Sequence, residues 1–180
     1  MHFAICDFLL DLVQNSVEAN AKTIRLDVFE EQGRVDVVVE DDGKGMSEEE
    51  LERAKDPFYT DGHKHVRRKV GLGIPFLLQS LELAGGSYTL SSRKGEGTRL
   101  SFSFPADALD TPPLGDVAGM FLSAMCFDGD YELLAHRRAQ AGDIDYEIRR
   151  SEILEAVGTL TDAGALVSVR EFLASQEASR

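Results

Sequence analysis

Cysteine pairs, basic charge and long apolar runs are what this chain has little of. Its two cysteines, Cys6 and Cys126, form no C-x-x-C or other metal-ligand spacing, so they read as reduced thiols of a cytosol. Lys and Arg number 19 against 32 Asp and Glu, a formal charge of −13. That balance argues against nucleic acid as a partner, because such affinity comes largely from cations neutralising phosphates. The longest apolar run, residues 117–127, is shorter than the roughly 20 residues needed to span a bilayer. The amino terminus carries Asp7 and Asp11 and no basic flank, unlike a secretory signal. There are no internal repeats or low-complexity segments. The expectation is a soluble cytoplasmic protein with no membrane partner, whose 180 residues suit one domain with an appendage, or two small ones.

What the chain does have is Val-Glu-Asp-Asp-Gly-Lys-Gly-Met-Ser, residues 39–47. A β-branched strand, Val35 to Val39, runs into Asp41 and Asp42, then into Gly43 and Gly45. Glycine has no Cβ and can take positive φ, so the backbone here can turn sharply and come close to a ligand. A carboxylate fixed at a strand end can accept a hydrogen bond from a ligand amino group, a contact no phosphate loop requires. Ser47 and Glu50 form a capping box for a helix to Lys55.

Upstream, residues 3–19 read as an amphipathic helix with Phe8, Leu9, Leu12, Val13 and Val17 on its apolar face. Asp7, Asp11 and Asn15 recur every four residues and form one polar stripe beside it. Ile24, Leu26 and Val28 alternate with Arg25 and Asp27, the period of a half-buried strand. Downstream, Asp56-Pro57-Phe58 breaks the second helix. Gly62 to Lys69 then gathers Lys64, Arg67, Arg68 and Lys69 within a strongly acidic chain. Gly71-Leu72-Gly73 opens a helix over 74–84, with Pro75 early in it and Gly85-Gly86 as the stop. Free amides and the positive dipole end of such a helix bind phosphate without side chains. A hairpin follows, residues 87–92 and 98–104, with Leu100, Phe102 and Phe104 facing the helices.

Taken in order, these stretches resemble the N, G1, F, G2 and G3 boxes of the GHKL superfamily, which holds the ATPase domains of gyrase, a heat-shock chaperone, sensor histidine kinases and mismatch-repair MutL. The resemblance covers roughly residues 7–105. It implies an α/β Bergerat fold, a two-layer sandwich of a mixed sheet with helices on one face, and it implies an ATP site. By that resemblance Asn15 offers its amide oxygen to Mg²⁺, and Asp11 activates or orients water as the catalytic residue. Asp41 reads the adenine amine, with Asp42 adjoining it, and Met46 lies against the ring. Gly43 and Gly45 belong to the G1 box, Phe58 shapes one end of the pocket, and Thr98 lies near the nucleotide. The basic run is read as an ATP lid, with Lys69 a phosphate ligand, and Gly71, Leu72 and Gly73 meet the triphosphate.

Two departures mark this chain. Asp11 stands where the gyrase and MutL branches carry glutamate, and Glu18 stands where the kinase branch usually has a basic residue. The wording N-S-V-E-A-N-A is closer to the MutL and gyrase branch. The resemblance thus implies nucleotide binding more directly than efficient hydrolysis.

Beyond Pro105 the boxes end, giving expected units of 1–105, the ATP-binding domain, and 106–180, a small α/β extension. In the extension the pattern predicts a helix from 117, a hairpin of 131–136 and 144–149, a helix capped by Ser151, and a last helix over 169–175. About 70 residues is short for an independent core, so the extension is expected to pack on the main domain or on a partner. The chain starts directly at the N box, with no dimerisation helix bearing a phosphoacceptor histidine, which favours a stand-alone domain over a complete sensor kinase. The expected activity is Mg-ATP binding with slow hydrolysis or phosphoryl transfer to a separate partner protein. The alternative is an ATP-gated interaction module without significant catalysis.

Overall fold

The computed structural model describes residues 4–56 and 73–178. Helix α1, Ile5–Glu18, buries Ile5, Phe8, Leu9, Leu12, Val13 and Ser16, the i, i+3, i+4, i+7 face that its sequence periodicity predicts. Each large apolar side chain on that face contributes about 1.5–3 kcal/mol by leaving water. Ala4, just before the helix, has no side-chain acceptor for the free amides of the first turn. Those of Ile5 and Cys6 donate instead to the carbonyls of Pro113 and Leu114, both at 2.9 Å. The chain beyond Pro105 therefore returns to cap the first helix.

Six strands form one sheet: β1 Thr23–Glu31, β2 Arg34–Asp41, β3 Ser87–Arg93, β4 Gly97–Pro105, β5 Glu132–Ala139 and β6 Ile144–Arg149. Their order is β3-β4-β2-β1-β5-β6, antiparallel throughout except for the parallel pair β1 and β5. Ile24, Leu26 and Val28 of β1, Val35, Val37 and Val39 of β2, and Leu100, Phe102 and Phe104 of β4 are all buried. They make the apolar face, and the helices lie on it. This is the mixed-sheet, two-layer α/β sandwich that the resemblance implies.

Helix α2, Glu48–Lys55, starts at Ser47 with the expected box: the Glu50 amide donates to Ser47 Oγ at 3.2 Å and the Ser47 amide to Glu50 Oε2 at 2.8 Å. None of its residues is buried, so it lies at the rim of the fold. Helix α3, Gly73–Ala84, ends in a Schellman motif. Gly85 takes φ +69°, its amide donates to the Glu82 carbonyl, and the Gly86 amide donates to that of Leu81 at 2.7 Å.

The segment beyond Pro105 continues this architecture. Helix α4, Val117–Met125, is capped by Asp116 and followed by β5 and β6, α5, Arg150–Val157, and α6, Ala163–Glu177. Residues of both halves, Leu9 and Val13 as well as Phe121, Met125, Leu133 and Leu173, belong to one buried cluster. Two polar ties hold α6. Arg170 grips Asp116 with two bonds of 2.9 and 2.7 Å, and the buried Arg137 pairs with Glu177 and Glu30. Arg170 and the Gly119 amide hold the Asp116 carboxyl below its ordinary pKa.

Two helix starts differ from expectation. Ser151 is not a cap: α5 begins at Arg150 with no side-chain cap, and the Ser151 amide donates to Glu132 Oε1 at 3.0 Å. The last helix begins six positions before the expected Val169, because Asp162 accepts from the amides of Gly164 and Ala165. Ala-Gly-Ala in its first turn carries too little apolar signal to show that start by periodicity.

Candidate functional site

Residues of α1, the end of β2, the loop 42–46, β3, β4 and the start of α3 enclose a cavity of about 230 Å³. Its walls are largely apolar, from Leu12, Val39, Ile74, Leu90 and Leu100, and the polar Ser16, Asp41 and Thr98 lie together on it. It is smaller than the roughly 300–1,000 Å³ of a whole-ligand pocket, a size that suits one flat apolar ring with a polar edge.

Asn15, Asp41, Gly45, Met46 and Thr98 all line it. Asp41 closes β2 opposite Thr98 of β4, so the two side chains share a face. Both Asp41 oxygens are held: Oδ2 accepts from the Ser16 hydroxyl at 2.7 Å and Oδ1 from the Gly43 amide at 2.9 Å. Each still has a lone pair to offer. Asn15 stands beside Ser16 on α1, and among the described residues its side-chain amide makes no hydrogen bond.

The two glycines of the loop differ. Gly43 does not line the cavity, and a Cβ there would lie 2.9 Å from both Ala19 Cβ and Asp41 Oδ1. Gly45, at φ +60°, passes so near β3 that a Cβ would sit 1.9 Å from the Arg93 carbonyl oxygen. Gly97, at φ +91°, meets the Asp41 carbonyl in the same way, also at 1.9 Å. The pressure for glycine therefore comes from protein backbone. The hairpin tip is docked on the loop, with the Gly95 amide donating to Lys44 O at 2.7 Å and the Met46 amide to Ser92 Oγ at 2.9 Å.

Asp11 lies one helical turn before Asn15 and faces the start of α3, where a Cβ on Gly73 would be 3.1 Å from Asp11 Cβ and 3.3 Å from its Oδ2. Asp42 points away from the cavity and holds β1, accepting from the amides of Lys22 and Thr23 at 2.6 and 2.9 Å. Burial opposes its ionisation, but those bonds outweigh it and keep its carboxyl below the ordinary range. Phe58, Lys69, Gly71 and Leu72, with the basic run before them, lie outside the described residues.

Sequence reading missed Ser16, Ser92 and the walls Ile74, Leu90 and Ala54. Ser16 had one signal: a hydroxyl, poor in a helix interior, set one turn after Leu12 on the apolar face. Ser92 had none, because β3 reads Ser-Tyr-Thr-Leu-Ser-Ser-Arg and nothing distinguishes one serine from the next.

Among the described residues no cluster of three His, Cys, Asp or Glu could cage a metal, and no helix is long and apolar enough to cross a membrane.

Residues 4–108 match the family of histidine kinase-, DNA gyrase B-, and HSP90-like ATPases. The histidine protein kinase DivJ of Caulobacter vibrioides is 32% identical over 119 residues, 61% of this chain and 20% of that protein. The sensor histidine kinase YxdK of Bacillus subtilis is 28% identical over 105 residues, 58% of this chain and 32% of that one. The chain thus spans a third or less of these two relatives. The solved N-terminal domain of a DNA repair protein aligns with 91% of this chain and 58% of its own, at TM-score 0.54 and 10% identity, which is a likeness of fold alone.

Proposed function

The chain belongs to the histidine kinase-, DNA gyrase B- and HSP90-like ATPase family, and from that premise we propose that its cavity takes the adenine of Mg-ATP for slow hydrolysis or phosphoryl transfer to a separate protein. The observation that carries this reading is the fixed carboxylate of Asp41 at the polar edge of an otherwise apolar cavity. There it accepts the exocyclic amine of adenine, with Met46 against the ring and Thr98 beside the same edge. A polarisable thioether suits that contact.

Asn15 is placed to hold magnesium. Asn15 lines the cavity, and a single protein oxygen from its amide would fit an ion that usually takes most of its ligands from phosphates and water. When bound, the ion neutralises phosphate charge. The start of α3 at Gly73 would offer backbone amides to the phosphates, as helix amino-terminal ends do, and Asp11 faces it. A water hydrogen-bonded to Asp11 would be oriented close to the phosphates. Phosphoryl transfer depends mainly on such positioning and charge neutralisation. Gly71, Leu72, Lys69 and Phe58 keep their expected roles as part of this proposal.

Calorimetry with ATP and GTP, each with and without magnesium, tests the binding. ATP should bind in a magnesium-dependent way and GTP poorly, and equal affinities would reject the base reading. Radiolabelled ATP, incubated with the protein alone and with cell extract, tests the chemistry. Phosphate released by the protein alone marks an ATPase, and label moved to one extract protein marks a kinase. Tight binding with neither outcome would instead favour the ATP-gated interaction module.

A further inference from the structure

Ser92, Thr98 and Asp41 form a row across three strands. The register pairs Ser92 with Thr98 and Thr98 with Asp41, so their side chains share the face that bears the cavity. The Ser92 hydroxyl has three polar neighbours: the Met46 amide at 2.9 Å, the Gly97 carbonyl oxygen at 2.8 Å and Thr98 Oγ1 at 2.9 Å. A serine hydroxyl has one hydrogen and two lone pairs. The carbonyl cannot donate, so the hydrogen between Ser92 and Gly97 is that of Ser92. The amide cannot accept, so Met46 fills one lone pair. Only a hydrogen from Thr98 completes the third contact.

We infer that Ser92 is a positioning residue that sets base specificity, by drawing the Thr98 hydrogen away from the cavity so that Thr98 shows the ligand only lone pairs. Asp41, beside it, is likewise an acceptor. The polar edge of the cavity is then two acceptors side by side. It takes a purine nucleotide with an amino group at that edge and rejects one with a carbonyl there, whose oxygen would face lone pairs with no hydrogen between them. The same serine anchors the backbone of Met46, so ring contact and edge recognition are set by one hydroxyl. This inference rests on the ATP reading above.

The test compares affinities for ATP and inosine triphosphate, which carries a carbonyl where adenine has its amine. The wild type should prefer ATP. Ser92→Ala frees the Thr98 hydrogen to turn inwards, so the preference should fall about fivefold, the worth of one neutral hydrogen bond. Ser92→Thr keeps the hydroxyl and should restore it. Thr98→Val keeps the shape without the oxygen and should lower the preference while leaving the bonds of Ser92 to the Met46 amide and the Gly97 carbonyl in place. If Ser92→Ala weakens both nucleotides by one factor, Ser92 is structural only and the inference is overturned. A wild-type preference in Thr98→Val overturns it as well. In either case the base reading survives provided Asp41→Ala still weakens ATP binding; if Asp41→Ala leaves ATP affinity unchanged, that reading and this inference fall together.

Discussion

The hydroxyl of Ser16 donates to Oδ2 of Asp41 across 2.7 Å, tying the last turn of α1 to the end of β2. Ser16 is 3% exposed and Asp41 half-buried, so this bond lies at the cavity wall, and Asn15 is the immediate neighbour of Ser16. The residue proposed to meet the base and the one proposed to meet the metal are therefore set by one rigid link. A shift of α1 would move both.

Removing Asp41 leaves the ligand amine without its charged acceptor, worth about 1.5–3 kcal/mol. Asp41→Ala should weaken ATP binding roughly tenfold to a hundredfold. Ser16→Ala leaves the carboxylate in place but held only by the Gly43 amide, and should cost about fivefold, the value of one neutral bond. Titration calorimetry separates the two. Equal losses would mean that Ser16 contributes more than orientation.

Metal binding and chemistry should separate along α1. Asn15→Ala should abolish the magnesium dependence of ATP binding, because on this reading Asn15 is the ion's one protein ligand. Asp11→Asn should leave Mg-ATP affinity nearly intact while lowering any hydrolysis. Wild-type turnover in Asp11→Asn would reduce Asp11 to part of a polar stripe.

Gly45 and Gly97 are, among the described residues, the glycines least tolerant of a side chain for reasons of backbone alone. Gly45→Ala would drive a Cβ to 1.9 Å from the Arg93 carbonyl at a φ of +60°, so the loop or hairpin must move. The expected loss is about 2 kcal/mol or more, with weaker ATP binding beside it. Gly33→Ala is the control: its φ is +74° but nothing lies within 4 Å, so only the conformational cost of about 1 kcal/mol applies. Denaturant titration of both variants gives the difference directly.

The parts of this fold that show in the sequence are those set by local rules. Ser47 and Glu50 announce α2, Gly85 ends α3, and the alternation in β1, β2 and β4 gives the buried face. The parallel pairing of β1 with β5 was not legible, because residues 23–30 meet 132–139 through a register that no local period encodes. The same holds for Arg137, which no local pattern marks out and which is buried at 2% exposure between Glu30 and Glu177. Within the site, Asn15, Asp41, Gly45, Met46 and Thr98 line the cavity and were named from the resemblance. Those that hold them, Ser16 and Ser92, were not, since a hydroxyl becomes informative only when its three-dimensional partners are known.

Cys6 and Cys126 should respond differently to the same reagent. Cys6 sits in the first turn of α1 at 5% exposure, while Cys126 is exposed, and neither is in a disulfide. Burial, reinforced by the Asp116 carboxylate, pushes the Cys6 thiol from 9.0 up to about 12. An alkylating reagent at pH 8 should thus modify one thiol in the native protein and both in denaturant, as counted by mass spectrometry. The shift also fixes a pH dependence. Between 9.0 and about 12 the unfolded thiol loses its proton while the folded one keeps it. The unfolded state then binds fewer protons, so stability present below that window falls as pH rises through it, by up to about 1.4 kcal/mol per unit. Burial raises Tyr131 and Tyr146 as well, which adds to the loss at higher pH. Cys6→Ala isolates the thiol: its stability should decline less steeply than wild type from pH 9 to 10, where the tyrosines contribute least. An unchanged slope, together with equal alkylation of both thiols in the native protein, would place Cys6 in contact with solvent and not in the core.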